Sequence, residues 1–297
     1  MAKKNSLSRN VFLISNYMFL SIAMLLCIIP LIHVFAISLS SSWAAAGGLV
    51  KLWPVSFTWK SYEYVLNKPE FLASLLVSVK RVFLGVGINM LLTILSAYTL
   101  SREKKDLRMR NVYSWFFVIT ILFSGGLIPW YMVISKLGMI DTIWALVLPG
   151  AVPVFNVLLL MNFMRQLPKE IEESVFLDGG NHWTNLWKFQ VPLSMPAIAT
   201  LILFSTVGNW NSWFDGLILM NSPKNYPLQS YLQTIVSTIE QRMANMMTAA
   251  DIKMLNEVND RTTKSAQIFL AALPILCVYP FMQRYFMSGI VMGSVKG

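Results

Sequence analysis

Six stretches of the chain carry no Asp, Glu, Lys or Arg: residues 10–50, 82–101, 111–135, 142–164, 189–214 and 265–283. At 1.5 Å of rise per residue, each is long enough to cross a hydrocarbon core of ~30 Å as a helix. The pattern predicts an all-α integral membrane protein with six transmembrane helices. The second helix is expected to start earlier than its charge-free run, near Phe71. Lys80 and Arg81 then stand close to its outer end or face protein. The first run is too long for a cleaved signal and lacks a small-residue cleavage site.

Composition agrees with that class. The 297 residues are 56% hydrophobic and only 13% charged, and the mean hydropathy is +0.57. A soluble domain of this length needs far less apolar surface. Basic residues set the orientation. Lys3, Lys4 and Arg9 lie in the amino-terminal tail, and Arg102, Lys104, Lys105, Arg108 and Arg110 follow the second helix. Both clusters fall on one side of a six-helix count, which places both termini in the cytoplasm. Anchoring to anionic lipid headgroups accounts for the net charge of +10 without a nucleic-acid partner. Cys27, Cys277, His33 and His182 show no metal-ligand spacing and read as structural residues. No phosphate-binding glycine loop occurs, and no nucleophile–base pair stands out.

The most distinctive polar segment is residues 165–195, between the fourth and fifth spans. Pro168 suits a first helical turn, and Glu170, Glu172 and Glu173 complement the helix dipole there. Ile171, Val175 and Phe176 form an apolar stripe, and Gly179-Gly180 stops the helix. A second short helix is expected from Asn181 to Phe189, with Trp183, Leu186 and Trp187 at helical spacing, ended by Pro192 and Pro196. Two short helices along the membrane face would fit a groove in a soluble partner.

These residues carry a resemblance. Glu173-Ser174-Val175, then Gly179, then Phe189, Val191 and Pro192 follow at every interval the Glu-Ala-Ala (EAA) loop of permease subunits of bacterial ATP-binding-cassette (ABC) importers. Departures are Ser174 and Val175 for two alanines, Gly180 for a common alanine, and Phe189 for isoleucine. Residues 123–129, 137–146, 208–214 and 226–229 resemble the carbohydrate-uptake branch, nearest to permeases for alginate- or pectin-type acidic oligosaccharides. The resemblance implies a type I importer in the bacterial inner membrane: a second permease, non-identical or another copy of this chain, with the former the reading preferred, two ATPase subunits and an extracytoplasmic sugar-binding protein. It implies that Glu172, Glu173, Ser174, Asp178, Gly179 and Pro192 couple this chain to the ATPase. ATP and Mg²⁺ would then bind that partner, with no cofactor and no catalysis on this chain. The expected organisation is a cytoplasmic tail (1–10), a first helix and outer loop (11–70), a permease core (71–290) with coupling loop 165–195 and outer loop 221–264, and a second tail (291–297).

Asn209, Trp210, Asn211, Trp213 and Asp215, near the end of the fifth span, combine amide groups with flat aromatic faces. That pairing suits a sugar's hydroxyl edge and C–H faces, and marks a candidate translocation pathway. Aromatic anchoring at the interface is the plainer alternative. Asn89, Asn156 and Asn162 are secondary candidates for the same pathway, with interhelical packing the plainer reading. The outer loop at 221–264 is expected to be helical from Leu228 to Leu255, with Met243, Met246 and Met247 as an adaptable face. Trp53, Phe57, Trp59, Tyr62 and Tyr64 would help cap the entrance. The rival reading is an ion-coupled secondary sugar transporter, which calls for a mid-membrane carboxylate and paired repeats.

Overall fold

The structure is a computed structural model describing residues 7–103, 106–235 and 260–293. All regular secondary structure among these residues is helical. They fall into two compact units. One holds the described residues of 1–69 and 236–273, the other those of 70–235 and 274–297.

In the first unit, helix α1 (Leu7–Ser38) exposes large apolar side chains around its circumference, from Val11 to Phe35. A helix apolar all round is built for lipid or for a membrane-embedded partner. Two short helices follow, α2 (Ser42–Ala46) and α3 (Lys60–Leu66). Ala36 and Ile37 of α1, Ala44 and Ala45 of α2, and Val50 form a small core. The Tyr62 hydroxyl meets Ser38 Oγ at 2.7 Å, and burial pushes its pKa up. Tyr62 is thus an internal strut, whereas Trp53, Phe57, Trp59 and Tyr64 are exposed.

The second unit is organised on α4 (Pro69–Ser101). Arg9–Ser38 of α1 and Pro69–Ser101 are each long and apolar enough to cross a membrane. The next three apolar runs are bent pairs rather than straight helices. Helices α5 (Arg110–Leu122) and α6 (Leu127–Lys136) meet at 114°. Phe123 there is extended and Gly126 adopts φ 86°, a conformation open to glycine. Helix α7 (Ile143–Val147), continued through Gly150, meets α8 (Val154–Arg165) at 45° around Pro153. The segment from His182 to Leu193 meets α12 (Met195–Asn211) at 79°. The sixth apolar run lies within the 34-residue helix Asp260–Gly293, which contains Pro274 and Pro280.

Between α8 and α12 lie α9 (Lys169–Leu177), α10 (His182–Thr184), a π-helical turn (Asn185–Gln190) and α11 (Val191–Leu193). Two expectations need correction here. Pro168 caps α9 from outside with ψ 130° instead of sitting in its first turn. Pro192 does not end the second helix, which continues to Leu193. Proline cannot donate to the carbonyl four residues back and its ring crowds that carbonyl, and the widened π turn ahead of it relieves both. The break falls instead at Ser194, and Pro196 opens α12. The fifth span also ends sooner than its apolar run: α12 stops at Asn211, and a separate helix, α13 (Phe214–Leu219), follows. The expected Met243, Met246 and Met247 face, most of the expected 228–255 helix, Lys3, Lys4, Lys104 and Lys105 lie outside the described residues.

The main core of this unit joins α4, α8 and α12 through Met90, Ile94, Ala97, Val157, Leu160, Met164, Ile198 and Leu201. A second cluster, Ile134, Ala145, Leu146, Leu219 and Met220, ties α6, α7 and α13. These two clusters position the polar features below.

Candidate functional site

The first feature is the segment 165–195. Gly179 takes φ 78°, Gly180 N–H donates to the Val175 carbonyl at 2.8 Å, and Gly179 N–H to that of Phe176 at 3.1 Å. This paired closure needs a left-handed residue at Gly179. Any Cβ on Gly180 would lie 2.7 Å from Val175 Cγ1 and 2.8 Å from its carbonyl oxygen. The next helix starts with Asn181, whose Oδ1 accepts from the Thr184 N–H at 2.9 Å.

The segment is fixed to the end of α4. Leu186 is buried in the main core. Arg102 pairs with Glu172 and lies 4.2 Å over the Tyr98 ring. Tyr98 Oη meets His182 Nδ1 at 3.1 Å and accepts from Asn185 Nδ2 at 3.3 Å. Burial pulls the Arg102 guanidinium below its ordinary pKa, though it stays a cation. Lys169 pairs with Glu103, which raises the ammonium's pKa by hydrogen bond and charge. Of the expected coupling residues, Glu172 therefore points back at the body of the unit. Glu173, Ser174, Asp178, Gly179 and Pro192 are exposed. So are Phe176 and Trp183, and Leu177 is 88% exposed at the tip. The result is a short, internally braced element with an apolar tip facing outward.

The second feature is a cavity of about 470 Å³ lined by Arg81, Asn89, Trp130, Asn156, Asn209 and Asp215, among others. Arg81 is 4% exposed. Its Nη1 donates to Asp215 Oδ1 at 3.1 Å and to the Ser212 carbonyl at 3.4 Å, and its Nη2 pairs with Asp215 Oδ2. Asp215 Oδ1 also accepts from Ser212 Oγ at 2.8 Å and Gly216 N–H at 2.9 Å. Asn89 Nδ2 donates to the carbonyls of Gly150 and Ala151 at 2.9 and 3.0 Å. Asn156 Nδ2 reaches Ser205 Oγ at 3.2 Å, and Asn209 Nδ2 the Ser205 carbonyl at 2.8 Å. A Cβ on Gly85 would lie 2.6 Å from Asn209 Oδ1, so a larger residue there would have to displace the Asn209 side chain.

The structure brings two of the five expected pathway residues, Asn209 and Asp215, to this cavity. Trp210 is buried, and Asn211 and Trp213 are exposed. The break after Asn211 turns Trp213 against Phe214, their rings 5.7 Å apart, instead of lining it up with Asn209. Of the secondary candidates, Asn89 and Asn156 line the cavity as well as bridging helices, while Asn162 is exposed. Arg81, Trp130 and the His182 contact were missed. No periodic signal marks them, because their partners lie up to 134 residues away. Among the described residues no three His, Cys, Asp or Glu side chains converge as a metal site.

Comparison with known proteins gives the class. No family model matches the chain. It is 37% identical over 294 residues to Protein LplC of Bacillus subtilis (strain 168), covering 99% of this chain and 97% of that one. It is equally identical over 281 residues to the polygalacturonan/rhamnogalacturonan transport system permease protein YtcP of the same organism, covering 95% and 96%. A crystal structure of a bacterial ABC transporter involved in the import of the acidic polysaccharide alginate superposes with TM-score 0.83 at 29% identity, covering 95% of this chain and 98% of that one. The chain belongs to the permease subunits of bacterial ABC sugar importers. It is a membrane protein and a transport subunit.

Proposed function

We propose that this chain passes oligosaccharides, acidic ones such as pectin or alginate fragments among them, from an extracytoplasmic binding protein into the cytoplasm. Six transmembrane helices carry it through the inner membrane with both termini cytoplasmic. A second, non-identical permease completes the pathway. Two ATPase subunits hold ATP and Mg²⁺, and this chain carries no cofactor. The segment 165–195 docks in an ATPase cleft through Glu173, Asp178, Gly179 and the exposed Leu177. Its bracing supports this reading: a rigid element transmits rigid-body closure of an ATPase pair into the helices it is rooted in. The substrate assignment draws on similar proteins, a polygalacturonan/rhamnogalacturonan transport system permease and a transporter involved in alginate import. Asp215 favours this reading over the ion-coupled alternative, because it is already committed to Arg81 instead of free to cycle a proton.

The single observation behind the docking reading is the exposed apolar tip on a segment whose other face is ion-paired to α4. Its test is Glu173→Lys, at an exposed position that bears on the bracing through its charge near Lys169, with Glu173→Gln as the control that removes this charge without adding a cation. The lysine variant should insert in the membrane normally but lose copurifying ATPase and uptake. Normal ATPase recovery and uptake would overturn the docking role.

A further inference from the structure

We propose that Arg81 is the residue that reads the carboxylate of an acidic sugar in the cavity, with Asp215 occupying its place in the absence of substrate. The proposal rests on the oligosaccharide reading above and names the charge class that the site selects.

The argument starts from the cost of the pair. Removing a guanidinium and a carboxylate from water is expensive, and apolar residues of similar volume are often as stable or more so. Such a pair on a cavity wall is therefore not explained by stability. Its surroundings give it another use. The other lining groups named above, Asn89, Asn156, Asn209 and Trp130, are neutral, three amides and an indole face, suited to sugar hydroxyls and ring C–H groups. Among the described residues Arg81 is the one cation on this wall, and the planar guanidinium is the group best matched to a carboxylate.

The pair is also arranged for exchange. Asp215 Oδ1 has two donors of its own, Ser212 Oγ and Gly216 N–H, so its charge is not abandoned when Arg81 turns away. Arg81 presents its Nη1 and Nη2 ends to Asp215, while its buried Nε–H has no hydrogen-bond partner. An unpaired buried donor is costly. When Arg81 turns from Asp215 towards the cavity, an incoming carboxylate on its Nε–Nη edge would satisfy that donor. One uronate then takes the place of Asp215 on the cation, while Asp215 keeps Ser212 Oγ and Gly216 N–H. A neutral sugar can use the amides but cannot displace Asp215.

The test compares trigalacturonate with its fully methyl-esterified form, the same sugar without charge. Equilibrium binding of each is measured on the solubilised importer complex without binding protein, beside uptake of trigalacturonate by the complete wild-type importer. Wild type should bind the acid more tightly than the ester. Arg81→Gln should weaken acid binding roughly ten- to hundredfold and ester binding little, the scale of a lost hydrogen bond to a charged group. Arg81→Lys should keep part of the preference. Asp215→Asn, which removes the competing charge but keeps an acceptor for Ser212 and Gly216, should tighten acid binding alone. Equal loss of acid and ester in Arg81→Gln, or an acid preference unchanged in Asp215→Asn, would overturn the proposal while leaving the transport reading standing. If wild type does not take up trigalacturonate, the substrate reading itself fails and this proposal with it. Should Arg81→Gln fail to assemble, the lysine and Asp215→Asn variants still decide.

Discussion

Two arginine–carboxylate pairs sit at the two ends of one helix stretch and do opposite things. Arg81–Asp215 lies near the start of the charge-free run of α4 and Arg102–Glu172 just past its end, roughly 30 Å apart along the axis, about one hydrocarbon thickness. The first pair lines a cavity with neutral polar groups around it. The second stacks on Tyr98 and clamps a surface element whose tip stays exposed. The same chemistry selects in one place and braces in the other, because what differs is the surroundings. The Arg81 pair borders a cavity whose other named groups are amides and an indole. Arg102, beside a cleft of about 720 Å³ crowded with charged side chains such as Glu103, Asp106 and Lys169, is held by Glu172 and the Tyr98 ring.

The largest expected effect breaks this comparison at its buried end. Arg81→Ala leaves Asp215 with only Ser212 Oγ and Gly216 N–H and should destabilise the protein by about 3 kcal/mol, whereas Arg102→Ala, whose partner Glu172 is the more exposed carboxylate, should lose about 2 kcal/mol. Thermal unfolding of the purified proteins reads both. Arg81→Met with Asp215→Leu should recover most of the stability without recovering acidic-sugar binding. Recovery of both would return the inner pair to a purely structural role.

Next in size is the rigidity of the bracing end. Gly180→Ala places a methyl group against the Val175 side chain and carbonyl, and overpacking of this kind costs about 1–3 kcal/mol. Val175→Ala in the same chain removes only the side-chain clash and should restore part of the loss. Hydrogen exchange across 169–193 would show it. A Gly180→Ala variant with wild-type protection would mean that the element is softer than its contacts imply.

The smallest effect concerns a third carboxylate, one held without any arginine. Asp141 accepts from Ser222 Oγ at 2.7 Å and from the N–H groups of Ser222 and Asn221 at 3.1 and 3.0 Å. The Ser222 side chain first, then the Ser222 backbone, bring its pKa down to about 2 from 3.8. A carboxyl depressed by folding contributes stability that is fully present above its unfolded pKa and fades as pH falls through the folded one. The contribution of Asp141 should hold above pH ~4 and disappear towards pH 2, and Asp141→Asn should remove that pH dependence. Identical acid-unfolding curves for the two proteins would refute it.

Hydrophobic patterning alone determined the membrane class, the number of apolar runs and the acidic segment between two of them, because burial in lipid is a property of continuous stretches. Turn chemistry went nearly as far: the left-handed closure at Gly179 follows from the glycine pair itself. Where each run would bend could not be read, since Phe123–Gly126, Pro153 and Ser194 interrupt helices without interrupting hydrophobicity. Nor could the partners of polar side chains. Lys80 and Arg81 are neighbours of the same charge, yet Lys80 is exposed while Arg81 is buried against a carboxylate 134 residues away. A sequence records the charge of a residue. Which way the helix turns it, and therefore what it meets, is decided only when α4, α12 and α13 pack together.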